Sequence, residues 1–238
     1  MIYKSYVLEN DNKILSHGKT ILFYGENLGL KNYFRNQIIN LNPKSQFLKL
    51  LQEDILKNNS LLFNELNNLS LFTDKKILLI DNCDDKIFSV LEKYLENRLE
   101  TQLIFFSNLL DKRSKLRNYF EKSKNLIIVP CYPDNSITIK KIIFSELKGF
   151  QGLSNYNINI ILESSNNDRI KLKNEIEKIK TFFLDKKIIT EQLEKLLNIT
   201  TNNDFNILKD EVFLGNKIQT NKLLGETIFE TEKNIYYL

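Results

Sequence analysis

Five short apolar runs, alternating with stretches of helical periodicity, dominate the first 131 residues and restrict the fold more than any other feature. They are Thr20–Tyr24, Gln46–Leu51, Lys76–Asp81, Leu103–Phe106 and Leu126–Val129. Most are continuously apolar rather than alternating, as expected of strands covered on both faces of a parallel sheet. Between them, Phe34, Ile38 and Ile39 mark one helix, Leu61, Leu62, Leu66 and Leu69 a second, and Ile87, Val90, Leu91, Tyr94 and Leu95 a third. Strands alternating with helices predict right-handed β-α-β units and an α/β fold built on a parallel sheet.

The texture changes at Pro130-Cys131-Tyr132-Pro133, where two prolines bracket a linker, with Cys131 and Tyr132 expected to pack the hinge. Beyond it the pattern is helical throughout. Ser136 is the expected N-cap of a helix carrying Ile139, Ile142, Ile143 and Leu147, with Gly149 and Gly152 after its end. Tyr156–Leu162 is short and apolar. Asp168 caps a longer helix in which Leu172, Ile176, Ile179 and Phe183 recur at intervals of four, three and four. Thr190, with Leu193, Leu196 and Leu197, starts another. The Asn/Thr-rich stretch 198–204 reads as a second linker, followed by short helical patterns at Phe205–Leu214 and Lys217–Phe229.

Composition removes several function classes. Apolar residues at 42% and charged residues at 27% of the 238 exclude wholesale disorder. The net charge of +4 is too small for a dedicated nucleic-acid binder. One histidine, His17, read as a surface loop residue, and two cysteines, Cys83 and Cys131, cannot build a zinc cluster, so no metal or other cofactor is expected. No apolar run reaches the ~20 residues of a membrane span. Met1–Asn10, with Lys4 and Glu9, lacks the apolar core of a secretion signal. The expectation is a cytoplasmic protein.

The chemistry-bearing motif is the first strand-to-helix turn, Gly25-Glu26-Asn27-Leu28-Gly29-Leu30-Lys31-Asn32. It stands where a Gly-x4-Gly-Lys-Ser/Thr phosphate loop would. Gly25 and Lys31 match. Leu30 replaces the second glycine, Gly29 falls one place early, and Asn32 replaces the hydroxyl that holds Mg²⁺. Glu26 adds a negative charge. Asp81 ends the third run as a Mg²⁺-binding acid would, but Asn82 follows where a catalytic glutamate is needed to polarise water. The loop of Gly25, Gly29, Lys31 and Asp81 is therefore expected to be a degenerate, inactive nucleotide site, with no catalytic residue. Asp84 and Asp85 read as a helix cap, Ser107 as part of a turn, and Lys112, Arg113, Lys115 and Arg117 as a solvated first helical turn.

Four segments, in register with this pattern, carry a resemblance. Asn68–Lys76, containing Leu69-Ser70-Leu71-Phe72 before basic Lys75-Lys76, Leu110–Leu116, Val129–Tyr132, and Asp168-Arg169 with Asn174–Lys178 resemble segments of the bacterial DNA polymerase III delta subunit, the clamp-loader delta. The resemblance implies an AAA+-like domain over residues 1–132, a small all-helical lid over 133–200, and the start of a helical collar over 201–238. It implies a subunit without ATP hydrolysis of its own in the polymerase (nucleotidyltransferase) holoenzyme. Such a subunit binds the beta sliding clamp, opens the ring, assembles with gamma/tau and delta prime subunits, and meets primed DNA through the complex. Leu71 and Phe72, flanked by Leu69 and Ser70, are the residues it implies for the clamp's apolar groove. Delta subunits run longer than this chain, so the collar is expected to be incomplete. In the lid, that family's sensing arginine falls at Ile170, beside Arg169. Two alternatives are an active AAA+ or P-loop ATPase with a variant loop, and the delta prime subunit. The cysteine-rich module and Ser-Arg-Cys motif usual in the latter are missing from this sequence.

Overall fold

The computed structural model describes residues 1–16, 18–68, 75–95, 101–197 and 205–228. They form two compact units, Met1–Ser136 with Asn167–Ile170, and Ile137–Asn166 with Lys171–Leu238.

In the first unit, strands β1 (Ile21–Tyr24), β2 (Gln46–Leu51), β3 (Lys76–Cys83), β4 (Gln102–Ser107) and β5 (Ile127–Pro130) form one sheet in the order β2-β3-β4-β1-β5. Every pairing is parallel. Helices α1 (Ser5–Asn10), α2 (Leu28–Leu41), α3 (Gln52–Lys57), α4 (Asn59–Asn67), α5 (Phe88–Leu95) and α6 (Lys115–Lys122) complete it, with 3₁₀ turns at Asn12–Ser16 and Asp85–Ile87.

The period-2 geometry of the strands sorts their side chains into two layers. Leu22, Leu78, Ile80, Leu103, Phe105 and Ile128 face one side, where Leu62 of α4, Leu91 of α5 and Leu116 and Phe120 of α6 cover them. Ile21, Phe23, Ile77, Leu79, Ile104 and Phe106 face the other, against Leu8 of α1, Leu15, and Phe34 and Ile38 of α2. Phe23 stacks on Phe34 at 5.0 Å and on Phe106 at 5.4 Å between ring centres. Burial on both faces is why the central strands are apolar without alternation. Each such side chain contributes about 1.5–3 kcal/mol. Strand β2, at the sheet edge, has only exposed and half-buried positions.

The elements follow the sequence periodicities, with several departures. Strand β3 runs past Asp81 to Cys83, through an irregularity at Asn82, which takes a left-handed φ of 57°. Helix α2 begins at Leu28, six residues before Phe34, the first of the apolar positions that mark it in the sequence. Helix α1 and the 3₁₀ turn after it have no counterpart in the sequence periodicity. Their Leu8 and Leu15 are fully buried, but a segment this short shows too few apolar positions to establish a period.

The second unit contains α7 (Ser136–Glu146), α8 (Asn155–Ser165), α9 (Arg169–Phe182), α10 (Thr190–Leu196), α11 (Phe205–Phe213) and α12 (Lys217–Ile228). Ile139, Ile143, Leu147, Ile158, Ile161, Leu172, Ile176, Ile179, Phe183 and Leu193 form its core. Ser136 is the first residue of α7 rather than the residue before it. Asp168 does cap α9, its Oδ1 accepting from the Ile170 amide at 2.6 Å. Arg169 and Ile170, the first residues of that helix, group with the first unit. Among the described residues no helix is long and apolar enough to cross a membrane.

Candidate functional site

The turn after β1 is closed by the protein's own acceptors. Gly25 has φ +132°, a conformation that L side chains rarely adopt, and an added Cβ there would collide with the Cys131 carbonyl. Its N–H donates to Asn108 O at 3.2 Å, and the Asn27 N–H donates to Cys131 O at 3.0 Å. Asn27 caps α2: its Oδ1 accepts from the Leu30 amide at 2.9 Å, and its carbonyl accepts from the Lys31 amide at 3.1 Å. A phosphate loop works by aiming such amides at an anion. Here the amides of Gly25, Asn27, Leu30 and Lys31 are all turned to groups within the chain.

Lys31 follows the same logic. It is buried, and its Nζ donates to Gly25 O and Ser107 O, both at 2.8 Å. Burial holds the ammonium's pKa below its ordinary value. Ser107 thus does more than make a turn. Its carbonyl receives Lys31, and its hydroxyl donates to Cys83 O.

Asp81 sits at the carboxyl end of the sheet, beside the turn, and is engaged by two cations. The Arg35 guanidinium forks onto both its oxygens, Nη1 at 3.2 Å from Oδ2. Lys49 Nζ lies 3.1 Å from Oδ2. The Arg35 guanidinium also lies over the Phe106 ring, 4.2 Å from its centre. Sequence reasoning passed over both cations. Arg35 lies four residues after Lys31 on α2 and so on its face. Lys49 lies in β2, which pairs with β3.

Gly29, the second residue of α2, admits a close approach. A Cβ there would run into the Cβ of Arg169. Arg169 is buried and grips Asp134 through Nε at 2.5 Å and Nη2 at 2.7 Å, while Nη1 reaches Glu9 Oε1 at 2.6 Å. Burial works against the guanidinium's charge, but these hydrogen bonds outweigh it and its pKa is raised. Asn27 Nδ2 donates to the same Asp134 at 2.6 Å and to Tyr132 O at 3.1 Å. No sequence pattern marks Asp134 or Glu9, which come from a linker and from α1.

The acidic pair after β3 is consumed as caps. Asp84 accepts from the Lys86 amide at 2.8 Å and pairs with Gln52. Asp85 accepts from Ser114 Oγ at 2.6 Å and from the amides of Lys115 and Leu116 at 3.0 Å. Partial burial raises the Asp85 pKa, but the bonds from Ser114, Leu116 and Lys115 prevail and hold it below the ordinary carboxylate value. A group depressed in this way stabilises the fold above its unfolded pKa of about 3.9, and the contribution is lost as pH falls through the folded value. Asp85→Ala is expected to cost about 1 kcal/mol at pH 7 in urea unfolding, and less at pH 3. Of the basic run, Lys112, Arg113 and Lys115 are exposed. Arg117 is not simply solvated: it bonds Glu121 at 2.8 Å and Leu110 O at 3.0 Å.

Leu69, Ser70, Leu71 and Phe72 lie outside the described residues, as does His17. The flanks of residues 69–74 are anchored. Asn68 closes α4, its amide donating to Asn64 O at 2.8 Å. The buried Lys76 at the start of β3 donates to Glu65 Oε2 at 2.5 Å, Glu65 O at 2.8 Å and Asn68 O at 3.2 Å.

The family model for the DNA polymerase III delta subunit matches residues 21–131. A search of curated proteins found no match. Among solved structures, the Bacillus subtilis DNA clamp loader delta protein (YqeN) is similar at 15% identity and a TM-score of 0.59, over 94% of this chain and 72% of that one. Two single-residue variants of Thermotoga maritima RuvB align with TM-scores of 0.53 and 0.56, at 17% and 16% identity. They cover 87% and 89% of this chain, and 76% of each RuvB chain. At these identities the likeness is one of fold. The α/β unit, from β1 through the Cys131 carbonyl that closes the turn, is the part the family model spans, and over these residues the chain is similar to the DNA polymerase III delta subunit.

Proposed function

We propose that this chain is a delta subunit of the polymerase III clamp loader that works by binding rather than by hydrolysing ATP. It binds the beta sliding clamp and opens one ring interface so that the ring can pass onto primed DNA. A surface that fits the open interface better than the closed one shifts the ring's equilibrium, and no bond need be broken in the subunit for this. The observation that carries the reading is the occupied turn at Gly25–Lys31, within a domain that matches the delta family. The amides of Gly25, Asn27, Leu30 and Lys31, the Lys31 ammonium and the Asp81 carboxylate are bound to groups of the same chain. Catalysis by the chain itself is not part of this reading, nor is a nucleotide cofactor.

The clamp contact is assigned to Leu71 and Phe72, with Leu69 and Ser70 beside them. Lys76 supports this assignment, because it ties Glu65 and Asn68, at the end of α4, to the start of β3. Apolar anchors at such a position carry much of an interface's energy. Residues 133–200 form the lid in this reading, and 201–238 begin the collar through which gamma/tau and delta prime subunits assemble, in the cytoplasm.

The test is capture of the chain by the organism's own sliding clamp without nucleotide. The Leu71→Ala/Phe72→Ala variant is expected to lose roughly tenfold or more in affinity while its melting temperature is unchanged. Unchanged affinity removes these residues from the interface. Micromolar, Mg²⁺-dependent ATP binding by calorimetry would instead favour the ATPase.

A further inference from the structure

Two features remain unexplained by clamp binding: a buried ion cluster next to the turn, and a glycine one place early in the motif. Both concern Arg169. Its guanidinium forks onto Asp134 and reaches Glu9, and Asp134 in turn accepts from Asn27, the N-cap of α2. The side chains of Arg169 and Asp134 are only 8% and 6% exposed, too little for a solute to displace either without opening the cluster. Gly29 is required because the Arg169 Cβ occupies the space a side chain would need.

A guanidinium fork recognises a carboxylate and a phosphate by the same bidentate geometry. The helix start after a phosphate loop is where an anion is favoured. We propose that the Asp134 carboxylate is a built-in anion, held between the Asn27 cap and the Arg169 fork in the manner of a ligand phosphate. It fastens Asn167–Ile170 to the α/β unit without any nucleotide. The idea rests on the inert-loop part of the proposed function. It adds a reason for inertness that the motif's missing residues do not supply: a competing anion is already tethered to the donors. Asp134 and Arg169 are positioning residues in this scheme, and Gly29 is the space that lets them meet.

Removing the carboxylate should open the pair to an anion from solution. The full chain carrying Asp134→Ala is expected to melt below wild type. Inorganic pyrophosphate should then raise its melting temperature by about 2–4 °C at tenfold over half-saturation. Wild type and the double variant Asp134→Ala/Arg169→Met should not respond. Absence of a response in folded Asp134→Ala overturns the proposal, and so does an equal response in the double variant, which would place the anion elsewhere. Should Asp134→Ala not fold, Asp134→Asn keeps the shape and removes the charge. Amide exchange in 167–170 is then expected to be roughly tenfold faster than in wild type, and unchanged exchange overturns the proposal. Clamp capture should survive in every variant that folds. Failure of the clamp assay in wild type would therefore count against the function and leave the tethered anion standing.

Discussion

Gly25→Val is expected to be the most damaging single substitution in the α/β unit, lowering its stability by roughly 3–4 kcal/mol in urea unfolding. Two costs add. A φ of +132° is all but closed to a β-branched residue, and the new Cβ would meet the Cys131 carbonyl, which belongs to backbone and cannot swing aside. That carbonyl also accepts from the Asn27 amide, so moving it breaks a bond that holds the N-cap residue of α2 as well. Gly149→Ala separates the two costs. Gly149 has φ +88° with nothing within 4 Å of the place a Cβ would take, and should lose only about 1–2 kcal/mol. If Gly25 mattered only as a path for a phosphate, Gly25→Val would remove ligand binding and leave stability near wild type. A loss no larger than that of Gly149→Ala would refute the packing account.

The same residues show how far the sequence can be read. The sheet is legible because burial on both faces leaves runs such as Ile77–Ile80 with no polar interruption. The inner face of α9 is legible because Leu172, Ile176, Ile179 and Phe183 keep one helical period, and all four are buried. The site is legible only in its local part. Leu30 and Asn32 depart from the phosphate-loop motif by position alone. What fills the turn comes from far along the chain: Ser107 at the end of β4 and Asn108 after it, Cys131 after β5, Asp134 in the linker, Arg169 in α9 and Glu9 in α1. Such pairings are products of the fold and leave no spacing to find. Arg169 stands out in the sequence only for being one place from an expected sensing residue, yet its partners are two carboxylates of its own chain. Asp85 is a cap, as its position suggests, although the helix it caps is α6, thirty residues on, and the turn that follows is capped by Asp84.

Lys31→Met provides the second large effect. In a working phosphate loop the lysine serves its ligand, and replacing it abolishes binding with little change in the stability of the ligand-free fold. Here the ammonium is a structural donor. It joins Gly25 O, at the end of β1, to Ser107 O, at the end of neighbouring β4, and methionine offers those carbonyls nothing. Hydrogen bonds from charged donors are worth about 1.5–3 kcal/mol each, and methionine regains part of the loss by filling the same apolar stem space, so a net cost of roughly 2–3 kcal/mol is expected at pH 7. The pH dependence gives a sharper check. Burial depresses the folded pKa of Lys31 below the unfolded value of about 10.4, so between those values the unfolded chain binds more protons than the folded one. Stability from this group therefore rises with pH through that window and is lost as pH falls through the folded pKa. The difference between wild type and Lys31→Met cancels the titration of groups common to both, and should widen from pH 7 toward pH 10. A variant as stable as wild type at pH 7, or a difference that shrinks as pH rises, would mean that Lys31 is not held in the sheet's carbonyl grip and is free to serve a ligand.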